Sequence, residues 1–92
     1  MNGAPGERLT EMPPSDKLVV VVLAHDTPLT PQELREESRL ADRTLRAALS
    51  RLSEAGLVER RVPVDGIPER TYGLSQDGEL AVHDAQVAPS PE

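Results

Sequence analysis

The sequence predicts a mainly α domain with one small β-hairpin (α+β), in the order helix, helix, turn, helix, hairpin, helix. Three observations carry that expectation. Leu45, Ala48, Leu49 and Leu52 recur at i, i+3, i+4 and i+7, which places them on one face of a helix from about Asp42 to Ala55. Thr30, Pro31 and Glu33 have the spacing of a capping box with proline at the first helical position. The segments "LVERRVPV" and "ERTYGL" flank "DGIP", where Asp65-Gly66 marks a turn between two β-prone runs.

Taken in chain order, residues 1–14 hold three prolines and two glycines without apolar periodicity, so a disordered lead is expected. "SDKLVVVVLAHD" has four consecutive valines, which favour a strand, but its flanks favour a helix. Ser15 is a good N-cap, Asp16 suits a first turn, and Asp26 to Pro28 ends the element. A helix apolar on nearly all sides would be largely buried. The next helix starts at Thr30, carries Leu34 inward and ends near Ser38.

Gly56 follows the longest helix at the place where a left-handed residue is wanted. Leu57 can then pack back on Leu52, as in a Schellman stop. Pro63 and Pro68 interrupt regular pairing near the hairpin tip. "SQDGELAVHDA" reads as a short last helix capped by Ser75, with Asp77 and Glu79 in its first turn. Residues 86–92, "QVAPSPE", read as a disordered tail. The ordered domain is therefore expected over 15–85.

Composition narrows the functional classes. With 92 residues the chain is one small domain with little room for a deep catalytic cleft. Phe, Trp and Cys are absent and Tyr72 is the only aromatic residue. The core must be Leu, Val and Ala, and aromatic platforms for single-stranded nucleic acid are excluded. Disulfides, thiolate metal sites and thiol catalysis are excluded as well. His25 and His83 lie far apart without a helical His pair, so no metal is expected. No nucleophile–base arrangement or glycine-rich phosphate loop is present, so neither catalysis nor a cofactor is expected. No basic leader precedes an apolar stretch, and the longest apolar run, Leu18 to Ala24, is far short of the roughly 20 residues that span a bilayer. A cytoplasmic protein without membrane contact is the expectation. The net charge of −6 with nine Arg and one Lys also resembles the composition of proteins from salt-loving organisms, where acidity maintains solubility.

The basic residues are unevenly placed. "SRLADRTLRAALSRLSEAGLVERR", residues 38–61, holds six of the ten basic residues and three of the sixteen acidic ones. Two short helices joined by a tight turn, the second running straight into a hairpin, form a helix-turn-helix followed by a wing. "PQELREESRLADRTLRAALSRLSEAGLVERR" followed by "TYGLSQDG" resembles the winged helix-turn-helix domains of MarR-like and related prokaryotic transcription regulators, over residues 16–85. Two departures stand out. Arg39 occupies the turn where the family usually has glycine, and Ala41 stands where Ser or Thr usually caps the recognition helix, leaving Asp42 as the alternative cap. "VHDA" is faintly similar to the metal-sensing helix of ArsR-like regulators, but no supporting ligands accompany it.

The resemblance implies double-stranded DNA as the partner, with a recognition helix at about 42–55 in the major groove and a wing at about 57–74 on the backbone or minor groove. At 100° per residue, Arg43, Arg46, Ala47, Ser50 and Glu54 face away from the apolar stripe, with Thr44 and Arg51 on its flank. Arg43 and Arg46 become the base readers, because a guanidinium bonds both major-groove acceptors of guanine. Ala47 permits close approach or touches a thymine methyl. Thr44, Ser50 and Arg51 position phosphates. Arg60, Arg61 and Arg70 belong to the wing. The plainer reading is a solvated face, in which Asp42 and Arg46 form an i,i+4 pair contributing about 0.2–0.5 kcal/mol. A homodimer through the apolar first helix or the last helix would read a pseudo-palindrome, and a monomer is the alternative. From another class comes a winged-helix module that binds protein within a transcription, replication or defence assembly.

Overall fold

The computed structural model describes residues 4–61 and 70–85. Five helices and a two-stranded sheet appear in them: α1 Pro5–Thr10, α2 Pro14–His25, α3 Pro31–Ser38, α4 Asp42–Glu54, β1 Val58–Arg61, β2 Thr71–Leu74 and α5 Gln76–Ala85. The α+β class and the order from α2 onward are those the sequence predicts.

The first helix is a correction. Residues 5–10 are helical, where the sequence predicts a disordered lead to residue 14. Pro5 takes the first turn, where its missing N–H costs nothing. Leu9 is fully buried against the core, and one apolar anchor is too few to show as periodicity. Arg8 ties the helix to two others. Its Nη1 donates to the Ala55 carbonyl at 2.6 Å, and its Nη2 donates to Asp77 at 3.1 Å. A cation at the last carbonyls of α4 also suits the negative end of that helix.

The N-terminus of α2 differs too. Pro13 is the N-cap and Pro14 opens the helix, so Ser15 is not the cap; its hydroxyl instead donates to Asp16 at 3.2 Å. One face of α2 is buried, through Val19, Val20 and Leu23, while Val21 and Val22 are half-buried and Leu18 is exposed. The helix is therefore less enclosed than its composition predicts, because α3, α4, α5 and β2 pack on it but leave the side of Leu18 open.

Helix α3 starts as its sequence predicts. The Glu33 N–H donates to Thr30 Oγ1 at 3.1 Å and the Thr30 N–H donates to Glu33 Oε1 at 2.9 Å. Leu34 is fully buried. Helix α4 buries all four predicted residues, Leu45, Ala48, Leu49 and Leu52. At its end Gly56 has φ 77°, its N–H donates to the Ser53 carbonyl at 3.0 Å, and the Leu57 N–H donates to the Leu52 carbonyl at 2.9 Å. Those two bonds are the Schellman pair.

Strands β1 and β2 run antiparallel, pairing Val58 with Leu74, Glu59 with Gly73, Arg60 with Tyr72 and Arg61 with Thr71. Leu29 adds a short bridge on the other side of β2, exchanging backbone hydrogen bonds of 3.0 and 2.7 Å with Tyr72. The expected Asp65-Gly66 turn, with Pro63 and Pro68, lies outside the described residues, as does the predicted tail 86–92. Ser75 caps α5: its Oγ accepts from the Gly78 N–H at 3.0 Å and donates to the Gly56 carbonyl. The core is aliphatic, built from Leu, Val and Ala of every helix and both strands, with Tyr72 at its edge.

Two glycines at this junction should respond differently to alanine. A Cβ at Gly56 meets nothing closer than 4.0 Å, so Gly56→Ala pays only for the left-handed backbone, about 1–2 kcal/mol. A Cβ at Gly78 would lie 2.0 Å from the Leu57 carbonyl oxygen, which is backbone and cannot swing aside. Urea unfolding should show Gly78→Ala as the more destabilising of the two. The reverse order would mean that α5 does not seat on the α4–β1 corner.

Candidate nucleic-acid interface

The exposed side of α4 is set by how the helix begins. Helix α3 stops at Arg39, which adopts the left-handed conformation at φ 63° although it carries a side chain. The Arg39 N–H donates to the Arg35 carbonyl at 2.9 Å, and the Leu40 N–H donates to the buried Ser38 Oγ at 3.2 Å. The N-cap of α4 is Ala41, with no side-chain cap; Asp42 is the first helical residue and is not the alternative cap. Asp42 instead acts through charge, which the positive end of a helix favours. It lies 3.4 Å from Arg46 and 3.8 Å from Arg35.

Beyond that start, Arg43, Thr44, Arg46, Ala47, Ser50 and Arg51 are all exposed, so the structure brings the six predicted helix residues to one side of the molecule. Their freedom differs. Arg43 has no hydrogen-bond or ion-pair partner among the described residues. Arg46 is paired with Asp42, but its side chain is 80% exposed, so water screens the pair and the guanidinium can leave it at little cost. Ala47 presents only a methyl group beside Arg43 on this exposed side.

Arg51 behaves otherwise. Its Nε and Nη2 donate to the two oxygens of Asp16, at 2.8 and 2.7 Å. The hydrogen bond to Asp16 raises the Arg51 pKa, burial opposes that, and the negative charge of Asp16 adds to it. Asp16 is fully buried while the Arg51 side chain is 44% exposed. The sequence predicts Arg51 as a phosphate contact; the structure gives it a carboxylate partner inside the molecule. Sequence reasoning missed this pair. The available signal was a carboxylate on the inward side of an otherwise aliphatic helix, and a first-turn Asp is ordinarily explained by the helix dipole alone.

The wing arginines separate by strand alternation. Arg60 shares the face of Val58, and with Tyr72, Leu49, Ser50, Ser53 and Glu54 it lines a groove of about 410 Å³ between α4 and the sheet. Arg61 lies on the opposite face, its guanidinium over Gly73 and near Thr27 Oγ1. Arg70 is exposed one residue before β2. The groove reaches Ser50 on the exposed side of α4, so Arg60 is the wing arginine that shares it with one of the predicted helix residues. The described residues bring no three His, Asp or Glu side chains together as metal ligands. No helix among them is long and apolar enough to cross a membrane.

Helices α3 and α4 form a helix-turn-helix whose second helix runs through a glycine stop into a β-hairpin, and solved structures share this arrangement. A MarR family transcription regulator superposes with a TM-score of 0.76 at 18% identity, over 90% of this chain and 56% of its own. The fold is a MarR-type winged helix. An S. aureus MepR variant bound to an oligodeoxyribonucleotide gives 0.75 at 19% identity, over 89% of this chain and 62% of that one. A candidate DNA-binding protein from Ralstonia eutropha gives 0.64 at 28% identity, over 85% of this chain and 99% of that one. This chain spans between 56% and 63% of the length of the first three solved structures it resembles. No protein-family model and no curated protein matches the sequence.

The two departures at the start of α4 predict that the turn can be stabilised. Ala41→Ser should supply the missing cap and add about 1 kcal/mol in urea unfolding. An unchanged midpoint would mean that Asp42 already satisfies the end of the helix.

Proposed function

We propose that this chain is a sequence-specific double-stranded DNA-binding transcription regulator, with α4 in the major groove and the wing on the backbone or minor groove. The observation that carries the reading is the exposed pair Arg43 and Arg46, separated by no bulky side chain from Ala47 and Ser50 and presented by the second helix of a winged helix-turn-helix. Arg43 and Arg46 read guanine edges, because a guanidinium fork meets N7 and O6 together. Ala47 lets the helix approach the bases. Thr44 on the flank and Ser50 one turn beyond Arg46 hold phosphates. Arg60 meets the backbone on the groove side of the wing, and Arg61 and Arg70 extend the positive surface outward.

The acidic balance of the chain does not oppose this reading, because the contact surface is where charge acts. Two copies would read a pseudo-palindrome with half-sites about one helical turn apart. The faces available for such pairing are on α2, where Leu18 is 38% exposed, and on α5, where Leu80 is 46% exposed. The same two leucines favour the second reading, a winged-helix module that binds protein in a transcription, replication or defence assembly.

Selection from a random duplex library, followed by affinity measurement across a salt series, separates the two. The DNA reading expects log affinity to fall by about 0.9 per neutralised phosphate against log salt. Arg43→Ala and Arg46→Ala should each cost about 1–3 kcal/mol on the selected site and relax its sequence. Flat affinity at low and high salt, for both selected and random duplexes, would contradict it. Protein binding would leave partner affinity intact in both variants.

The wing gives a second comparison. Arg60→Gln should reduce the salt slope by about 0.9, whereas Arg61→Gln, on the other face of β1, should change it less. Equal losses would place the sheet edge-on to the backbone rather than groove-first.

A further inference from the structure

Asp16 has no place on the reading face, yet it is the only charged side chain buried among the described residues. It sits in the first turn of α2 and receives both Arg51 hydrogen bonds from α4. Otherwise the two helices meet through aliphatic side chains, Val19, Val20 and Leu23 on one and Leu45, Ala48, Leu49 and Leu52 on the other. Aliphatic burial is strong but non-directional. Such a seam holds the helices together more firmly than it fixes their rotation.

A guanidinium–carboxylate fork is directional, since its two parallel bonds form in one plane and one register. Burying the Asp16 carboxylate also keeps the net stability of the pair small, because desolvation offsets attraction; fixing register is the best-attested use of such pairs. Arg51 lies beside Ser50 and one turn beyond Ala47 on the same helix. Rotation of α4 about its axis would therefore carry the whole reading face with it. At the outer radius of a helix, about 5–6 Å, a turn of about 10° moves a group by about 1 Å. A shift of that size spoils a bidentate hydrogen bond.

We infer that Asp16 and Arg51 are positioning residues, whose pair sets the rotation of α4 on α2 and thereby fixes which base edges Arg43 and Arg46 reach. Neither residue touches the nucleic acid. The inference rests on the DNA-binding reading above and adds to it a source of sequence discrimination inside the fold.

The test replaces the pair by aliphatic side chains, Asp16→Leu with Arg51→Met, in the full chain. Affinity is measured for the duplex that the unaltered protein selects and for random duplex, across a salt series, at a temperature where circular dichroism shows the variant folded. The ratio of selected to random affinity should fall about tenfold, a loss on the scale of one bidentate base contact, with the salt slope unchanged. An unchanged ratio overturns the inference, because a purely structural pair would not affect discrimination in the folded protein. A slope lowered by about 0.9 overturns it too, since Arg51 would then be a phosphate contact. If the double variant does not fold, Asp16→Asn keeps the shape and one acceptor, and the same ratio decides. Absence of any duplex affinity in the unaltered protein would remove the DNA reading itself and this inference with it, a result distinct from both.

Discussion

The chain reversal at Gly56 is the constraint on which the remaining geometry depends. Helix α4 has one apolar face, and the point where it stops decides which residues become helix and which become wing. The positive φ of Gly56 permits the Schellman bonds and sends Leu57 into the core, so that β1 starts with a buried Val58. Three other elements then close on that corner. The Ser75 N–H donates to the Leu57 carbonyl at 3.1 Å, Gly78 packs against the same carbonyl, and Arg8 holds the Ala55 carbonyl. Helix α1, the wing and α5 are thereby referred to the C-terminus of the helix whose N-terminal half carries Arg43 and Arg46.

The arginine cluster that distinguishes residues 38–61 resolves into separate physical roles. Arg39 spends its backbone on the left-handed turn, Arg43 and Arg46 stand in solvent, and Arg51 is bound to a buried carboxylate. Arg60 and Arg61 leave β1 on opposite faces. Charge density alone therefore overstates the surface available to a polyanion, since one arginine is neutralised from within and another lies across the far side of the sheet. What remains is narrow and directional, and it suits contacts at close range better than long-range attraction by a chain of net charge −6.

The parts of the fold legible in the sequence are those punctuated locally. The capping box at Thr30, the amphipathic spacing of α4, the Gly56 stop and the Ser75 cap each declare themselves within a few residues. The missed parts depend on partners far away in the chain. Arg51 meets Asp16 across 35 positions, Arg8 meets Ala55 across 47 and Asp77 across 69. Helix α1 is stabilised by those distant contacts and not by its own short sequence, and the Leu29–Tyr72 bridge joins the α2–α3 loop to the last strand. The same division runs through the interface. Exposure of Arg43, Arg46, Ala47 and Ser50 follows from helical periodicity. The internal partner of Arg51 follows from tertiary packing, and strand alternation could be applied to Arg60 and Arg61 only once the register with β2 was known.

Whether α4 and the groove side of the wing form the contact surface is decided by following backbone amide resonances as a selected duplex is titrated into the labelled protein. Shifts should concentrate in residues 42–50 of α4 and around Arg60 and Tyr72, with α1 and the exposed side of α5 little affected. Shifts concentrated instead around Leu18 and Leu80, with Arg43 and Arg46 unmoved, would contradict it.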